Sequence, residues 1–179
     1  MKARYLYNPS TQIAGFKSFI IGIAGFLITT YLAFKTGTHF YGLLNIDFAK
    51  DSDYWVFLTE NLSGWLFISI FLHLSGLILS KSKIRPIDTF GTVLLSRIPL
   101  ALTPMLRTIP VFQSFVIHSW EMYFVIGFYL ISMIWLIILL FNAFRISCNL
   151  KNERLVGSFI ISIILAEICT KLFLKLLIY

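Results

Sequence analysis

One apolar stretch in the middle of the chain carries residues that a simple membrane anchor would not need. Residues 84–110 read IRPIDTFGTVLLSRIPLALTPMLRTIP, with Arg97 near the centre and Pro99 and Pro104 beyond it. An arginine at membrane depth costs about 2.5 to 3.5 kcal/mol on insertion scales, so it faces protein, water or a carboxylate rather than lipid. Each proline also removes a backbone hydrogen bond that neighbouring groups must replace. We therefore expect other membrane helices to enclose this stretch.

The composition places the chain among integral membrane proteins. Hydrophobic residues make up 58% of it and charged residues only 13%, which is too apolar for a soluble domain of this length. The net charge of +7 comes from small basic groups at the ends of apolar runs, where membrane topology explains them. The expected partner is thus the lipid bilayer and not nucleic acid. Cys148 and Cys169 lack metal or redox spacing and are interpreted as packing residues.

Five apolar segments predict an all-α, polytopic membrane protein, a bundle of five transmembrane helices forming one domain over residues 1–179. The approximate spans are 13–34, 62–80, 87–106, 122–144 and 155–178. The interruption at residues 35–60 contains Asp47, Asp51, Asp53 and Glu60, and we interpret it as a solvated outside loop with a short strand or hairpin at 41–48. Whether the third span is continuous or broken at its prolines stays open.

The charges between the spans predict the orientation of the bundle. Most basic residues fall on one side, in three groups around Arg4, Arg85 and Arg154, whereas most loop acids fall on the other side. The positive-inside rule then places the N-terminus in the cytoplasm. With five spans, the C-terminus lies outside.

Small residues recur every four positions in two spans, which is typical of helices that pack closely. The first span has a short repeat of Ala14, Ser18 and Gly22. The fifth span has the longer one, which predicts a helix-packing seam made of Ser158, Ser162, Ala166 and Thr170.

Four ionisable residues at membrane depth form a candidate intramembrane polar cluster: Arg97, Glu167, Lys171 and His73. We predict that Arg97 and Glu167 meet inside the bundle, because each loses much of its burial cost when hydrogen-bonded to the other. The alternative is the local pair of Glu167 with Lys171, whose spacing suits an ion pair on one helix. His73 shares a helical face with Ser69. It either forms an interhelical hydrogen bond or takes part in the handling of a proton or a ligand.

The run from Phe90 to Pro99 resembles a segment of the Yip1 family. That segment has a glycine near the start of a helix, and a turn or two later it has a small residue, often arginine, and a proline. Gly91, Arg97 and Pro99 are the matching positions. With the five-span layout and the basic loop before the third span, most of the chain resembles the short bacterial Yip1 proteins. The resemblance implies a single Yip1-like membrane domain, located in the bacterial inner membrane, with no agreed activity.

The sequence contains none of the spacings that we sought for lipid phosphatases, phosphoalcohol transferases or His-x-x-x-His metal sites. We therefore expect no catalytic, cofactor-binding or metal-binding residues, and no enzyme. The favoured function is a non-catalytic membrane-organising or scaffold role, with a membrane-protein partner or a homo-oligomer. The alternative is a small transporter or channel that uses the candidate polar cluster.

Overall fold

The computed structural model describes residues 9, 13, 15–42, 44–49, 52–80, 83–113, 119–148 and 152–178. They form an all-helical protein with one small hairpin, so the predicted all-α class is confirmed. The strands Thr38–His39 (β1) and Asp47–Phe48 (β2) pair in antiparallel register. Short 3₁₀ turns cover Ile98–Ala101 and Pro110–Phe112. The α-helices are α1 (Phe16–Thr36), α2 (Tyr54–Leu79), α3 (Pro86–Ser96), α4 (Leu102–Leu106), α5 (Trp120–Cys148) and α6 (Asn152–Leu177).

Within the described ranges, four helical segments are long and apolar enough to cross a membrane. These are α1, α2, α5 and the segment Pro86–Leu106, which joins α3 to α4. Over an 18-residue apolar stretch of each segment, between 28% and 33% of the residues are buried in α1, α2 and α5, compared with 67% in Pro86–Leu106. The other helices therefore surround this central segment, which confirms the expectation drawn from its arginine and prolines.

The central segment does not cross as one continuous helix. Helix α3 ends at Ser96, and Arg97 leads into the 3₁₀ turn before α4 begins. Pro99 explains the break, because it has no N–H to donate and its ring would collide with the carbonyl of Leu95 in an α-helix. The break lies among buried residues, where protein groups rather than lipid surround the irregular backbone.

Helices α1 and α3 cross at a point where only glycine fits. A Cβ on Gly22 would lie 2.8 Å from Leu94 Cγ and 2.9 Å from the backbone nitrogen of Leu95. On the opposite helix, a Cβ on Gly91 would lie 2.7 Å from Ser18 Oγ. The short repeat of the first span thus lies against α3, although Ala14 falls outside the described residues.

Helices α2 and α6 pack through the longer small-residue seam. Its four members are at most 8% exposed: Ser158, Ser162, Ala166 and Thr170. Ser162 Oγ lies 2.7 Å from Ser75 Oγ and donates to the carbonyl of Phe71 at 3.3 Å. The seam is therefore occupied by α2 of the same chain.

The interpretation of residues 35–60 as a solvated acidic loop is wrong for much of its length. Helix α2 already begins at Tyr54, so Glu60 lies within that helix and is fully buried. Strand β1 and the following Phe40 are buried too, because the hairpin folds into the end of the bundle. Asp47 and Asp53 are exposed as predicted, and Asp51 lies outside the described residues.

Candidate functional site

The site begins at Arg97, the residue directly after α3. Its side chain is buried, with 5% of the residue exposed. It lies against α2 at Gly64, where an added Cβ would be 3.2 Å from both Nη1 and Nη2. Among the described residues, neither of these nitrogens has a hydrogen-bond partner. A buried guanidinium whose two terminal nitrogens have no acceptor is costly, so the position is expected to hold an acceptor in some state of the protein.

Glu167 on α6 is the acidic residue that acts on this arginine. Its carboxylate lies within electrostatic reach of both the Arg97 guanidinium and the Tyr129 hydroxyl on α5. The hydrogen bond that the sequence predicts to Nη1 or Nη2 of Arg97 is not formed in this structure. The carboxylate instead pairs with Lys171, whose Nζ lies 3.0 Å from Oε1. The local pair that sequence reasoning gave as the alternative is thus present.

The hairpin reaches the same carboxylate from the other side. The N–H of Leu44 donates to Glu167 Oε2 at 3.2 Å. A Cβ on Gly42 would lie 2.7 Å from both carboxylate oxygens, and Gly42 has a φ of +147°, which L side chains rarely adopt. Glycine at this position therefore allows the backbone to lie directly on Glu167.

A second buried acid, Glu60, holds the base of the hairpin. His39 Nδ1 lies 2.8 Å from Glu60 Oε1, and the N–H of Phe40 donates to Oε2 at 3.0 Å. The His39 and Glu60 side chains are 1% and 0% exposed. Sequence reasoning missed this pair. The signal was present, because Phe57, Glu60 and Gly64 follow a helical spacing that extends the buried face of α2 toward its N-terminus.

Arg107, directly after α4, also holds strand β1 in place. Its Nη1 donates to the carbonyl of Gly37 at 3.2 Å and to Thr38 Oγ1 at 3.0 Å. Its guanidinium also lies over the Phe48 ring, with Cζ 4.3 Å from the ring centroid. Burial lowers the pKa of Arg107 to about 10, which leaves the group charged at neutral pH.

His73 is separate from the Arg97 site. Its Nδ1 lies 3.3 Å from Thr89 Oγ1, an interhelical hydrogen bond from α2 to α3 of the kind that the sequence suggested. Nine residues separate it from Gly64, which is about 13 Å along the helix. Lys171 is half exposed at the edge of the bundle. Within the candidate cluster, Arg97 and Glu167 thus form the internal part and Lys171 is paired with Glu167 at the edge of the bundle, whereas His73 lies elsewhere.

The internal groups are suited to binding an anion. In the part of the chain that the structure describes, no three His, Cys, Asp or Glu side chains are placed to hold a metal ion. The guanidinium of Arg97 can bind a carboxylate or another oxyanion through two parallel N–H donors. The hydroxyls of Tyr129 and Thr103 are also buried without a hydrogen-bond partner among the described residues. These groups supply polar surface inside an otherwise apolar bundle.

Comparison with known proteins gives no match: no family model, no curated protein and no solved structure matches this chain. The resemblance to the Yip1 family therefore stays a prediction based on Gly91, Arg97 and Pro99. In the structure, Gly91 serves the close crossing of α1 and α3, and Pro99 is buried in the 3₁₀ turn.

Proposed function

We propose that the chain is a small transporter or channel that carries an anionic solute across a membrane, with Arg97 as the internal binding group. The observation that carries the proposal is the burial of Arg97 at a helix break with both terminal nitrogens unpartnered among the described residues. Membrane proteins keep such charges at depth where they face a pathway or a partner charge. Interrupted helices near the middle of a membrane segment are also a feature of transporter binding sites.

The proposed membrane arrangement has five spans. Helix α6 adds the fifth to the four apolar segments, since its 26 residues are long enough and its Glu167 faces the hairpin rather than lipid. The N-terminus is placed in the cytoplasm and the C-terminus outside, following the positive-inside rule. The hairpin then covers the outer end of the bundle. The bacterial inner membrane is the proposed location.

The test is anion flux in liposomes containing the purified protein. Vesicles are loaded with chloride, nitrate or inorganic phosphate, and efflux is followed after valinomycin is added to balance charge with potassium. We expect efflux above that of empty vesicles for at least one of these anions, reduced at least tenfold by Arg97→Gln. Arg85→Gln is the matched control, because Arg85 is exposed just before α3. Efflux equal to that of empty vesicles for all three anions would refute the proposal.

A membrane-organising or scaffold role is the second candidate. It is favoured by the hydrogen bonds between His73 and Thr89 and between Ser162 and Ser75, because in both pairs polar groups join two helices of the bundle. This role requires a membrane-protein partner or a second copy of the chain. Extraction into native nanodiscs followed by mass measurement tests it, and a strictly monomeric protein without a co-purifying partner would count against it.

A further inference from the structure

Helices α2 and α6 run antiparallel and contact each other at two separate levels. The rings of Phe67 and Phe173 meet with their centroids 5.7 Å apart. Further along the pair, Ser75 and Ser162 are joined by a hydrogen bond of 2.7 Å. Helix α2 ends four residues after Ser75, at Leu79, and α6 begins ten residues before Ser162. The C-terminal end of α2 and the N-terminal end of α6 therefore lie at the same end of the bundle.

A groove with a volume of about 320 Å³ lies between the two helices at this end. Its walls are Ser75, Ile78 and Leu79 of α2 and Arg154, Gly157, Ser158 and Ile161 of α6. Ile78 and Ile161 are 80% and 57% exposed, so the groove opens on the outside of the bundle. Helix α2 is long and apolar enough to cross a membrane, and the outside of such a helix faces lipid. The volume is in the range of sites that hold small molecules.

Gly157 leaves room in this groove. A Cβ at Gly157 would meet no atom within 4 Å, so the glycine does not serve a close helix crossing as Gly22 and Gly91 do. Glycine inside a helix is less stable than alanine, and its presence here has no explanation in packing. The consequence of the missing side chain is an open space along the wall that α6 provides.

The serine hydroxyls of the groove are already used within the protein. Ser158 donates to the carbonyl of Arg154 in its own helix, and Ser75 is hydrogen-bonded to Ser162. The remaining walls are apolar except for Arg154. Most of the groove thus suits a hydrocarbon chain.

Arg154 is the charged residue among these walls. It shares a face of α6 with Gly157 and Ile161, three and seven positions further on, so apolar walls continue from it for about 10 Å along the helix. Arg154 is exposed, and no carboxylate among the described residues forms an ion pair with it. Glu153 precedes it in the first turn of α6 but is not among the described walls. The groove therefore combines a cation at the helix end with an apolar channel that leads away from it.

We propose that this groove binds one anionic phospholipid, with an acyl chain between α2 and α6 and the phosphate on Arg154. A guanidinium binds a phosphate through two parallel N–H donors, and basic pockets between membrane helices on the cytoplasmic side bind anionic headgroups. In the proposed membrane arrangement this end of the bundle is cytoplasmic. A phospholipid matches both the apolar walls and the arginine, whereas free phosphate matches only the arginine. The proposal uses none of the groups of the Arg97 site.

The test is native mass spectrometry of the full chain, stripped of lipid in detergent and titrated with dioleoyl phosphatidylglycerol or dioleoyl phosphatidylcholine. The acyl chains are identical, but the choline offsets the phosphate charge. We expect one phosphatidylglycerol to bind roughly fivefold more tightly than phosphatidylcholine, as one basic residue near a headgroup provides. Arg154→Gln should abolish this preference. Arg145→Gln should keep it, because Arg145 is exposed in the last turn of α5 and is not a wall of the groove.

A second pair of variants tests the apolar part. Gly157→Leu fills the groove and should weaken the binding of both lipids about tenfold, since it displaces methylene groups of the acyl chain. Gly127→Leu adds the same side chain in α5, where a Cβ also meets no atom within 4 Å, and should leave both affinities unchanged.

Equal affinity of the wild-type chain for the two lipids would overturn the proposal, and this comparison does not depend on the folding of any variant. Equal losses in Arg154→Gln and Arg145→Gln would also overturn it, as would wild-type affinity in Gly157→Leu. A dimeric mass that Gly157→Leu abolishes would show that a second copy of the chain covers the groove instead. Lipid binding is measured without anion efflux, so this proposal and the transport function fail separately.

Discussion

Replacing Gly22 with alanine should weaken the contact between α1 and α3. The added Cβ would lie 2.8 Å from Leu94 Cγ and 2.9 Å from both Leu94 Cβ and the backbone nitrogen of Leu95. A side chain can rotate away from such a contact, but a backbone nitrogen moves only with its helix. The two helices must therefore separate, and the neighbouring contact of Gly91 with Ser18 would loosen with them.

The size of the effect follows from two opposing contributions. Overpacking in a well-packed core costs about 1 to 3 kcal/mol. Alanine in place of glycine in a helix gains about 0.8 to 1.0 kcal/mol from backbone propensity, where the unfolded chain is not itself helical. The net loss is then roughly 0 to 2 kcal/mol, which is hard to interpret alone.

Gly127→Ala isolates the steric part. Gly127 also lies inside a long helix, but an added Cβ there meets no atom within 4 Å. The propensity gain is common to both variants, so Gly22→Ala should be less stable than Gly127→Ala by about 1 to 3 kcal/mol. Reversible unfolding in mixed micelles with increasing SDS measures this difference. Equal stability of the two variants would show that the helices do not cross as closely as described.

Three further substitutions test the polar contacts. Glu60→Ala leaves His39 Nδ1 and the Phe40 N–H without their buried acceptor and should cost about 2 to 5 kcal/mol, measured by the same unfolding assay. Arg107→Gln removes the charged donor to Gly37 and should cost about 2 to 4 kcal/mol, with faster proteolysis of the hairpin as a second readout. Ser162→Ala breaks one interhelical contact and should cost only about 0.6 kcal/mol in SDS unfolding.

Two of these substitutions, Glu60→Ala and Ser162→Ala, have a control in the same chain. Asp53→Ala removes an exposed acid that makes no side-chain capping hydrogen bond, so the change should stay within about 0.5 kcal/mol. Ser158 bonds to carbonyls of its own helix, and Ser158→Ala should be milder than Ser162→Ala. If the Glu60→Ala variant were as stable as the Asp53→Ala variant, the buried role of Glu60 would be contradicted. An unfolding stability of Arg107→Gln equal to that of the wild type would contradict the anchoring of β1.

The helices were predictable because their apolar runs match the thickness of a bilayer. Sequence reasoning placed the second span at 62–80, whereas α2 begins at Tyr54, because the charged Glu60 was taken as the last residue of the polar interruption before the span. The enclosure of Arg97 by other helices was also predictable, since an arginine at membrane depth is too costly to face lipid. The position of the break was not, because Pro99 and Pro104 are equally able to interrupt a helix on local grounds.

The candidate site was harder to predict than the helices, because it depends on contacts between distant parts of the chain. Glu167 meets Leu44, 123 positions earlier, and nothing in the spacing of either residue indicates this. The competition of Lys171 and Arg97 for one carboxylate was visible in the sequence, but its outcome depends on where the hairpin lies. Residue type therefore indicated which groups need partners, and only the fold showed which partners they have.

The interrupted central segment also constrains how the protein is made. A segment that carries Arg97 and two prolines partitions poorly into lipid by itself, and in the finished protein most of its surface contacts other helices. Helix α5, one of those that cover it, is synthesised afterwards. We therefore predict that the segment leaves the translocation machinery for the bilayer together with α5. Truncation before Trp120 should accordingly leave the segment Pro86–Leu106 outside the lipid phase.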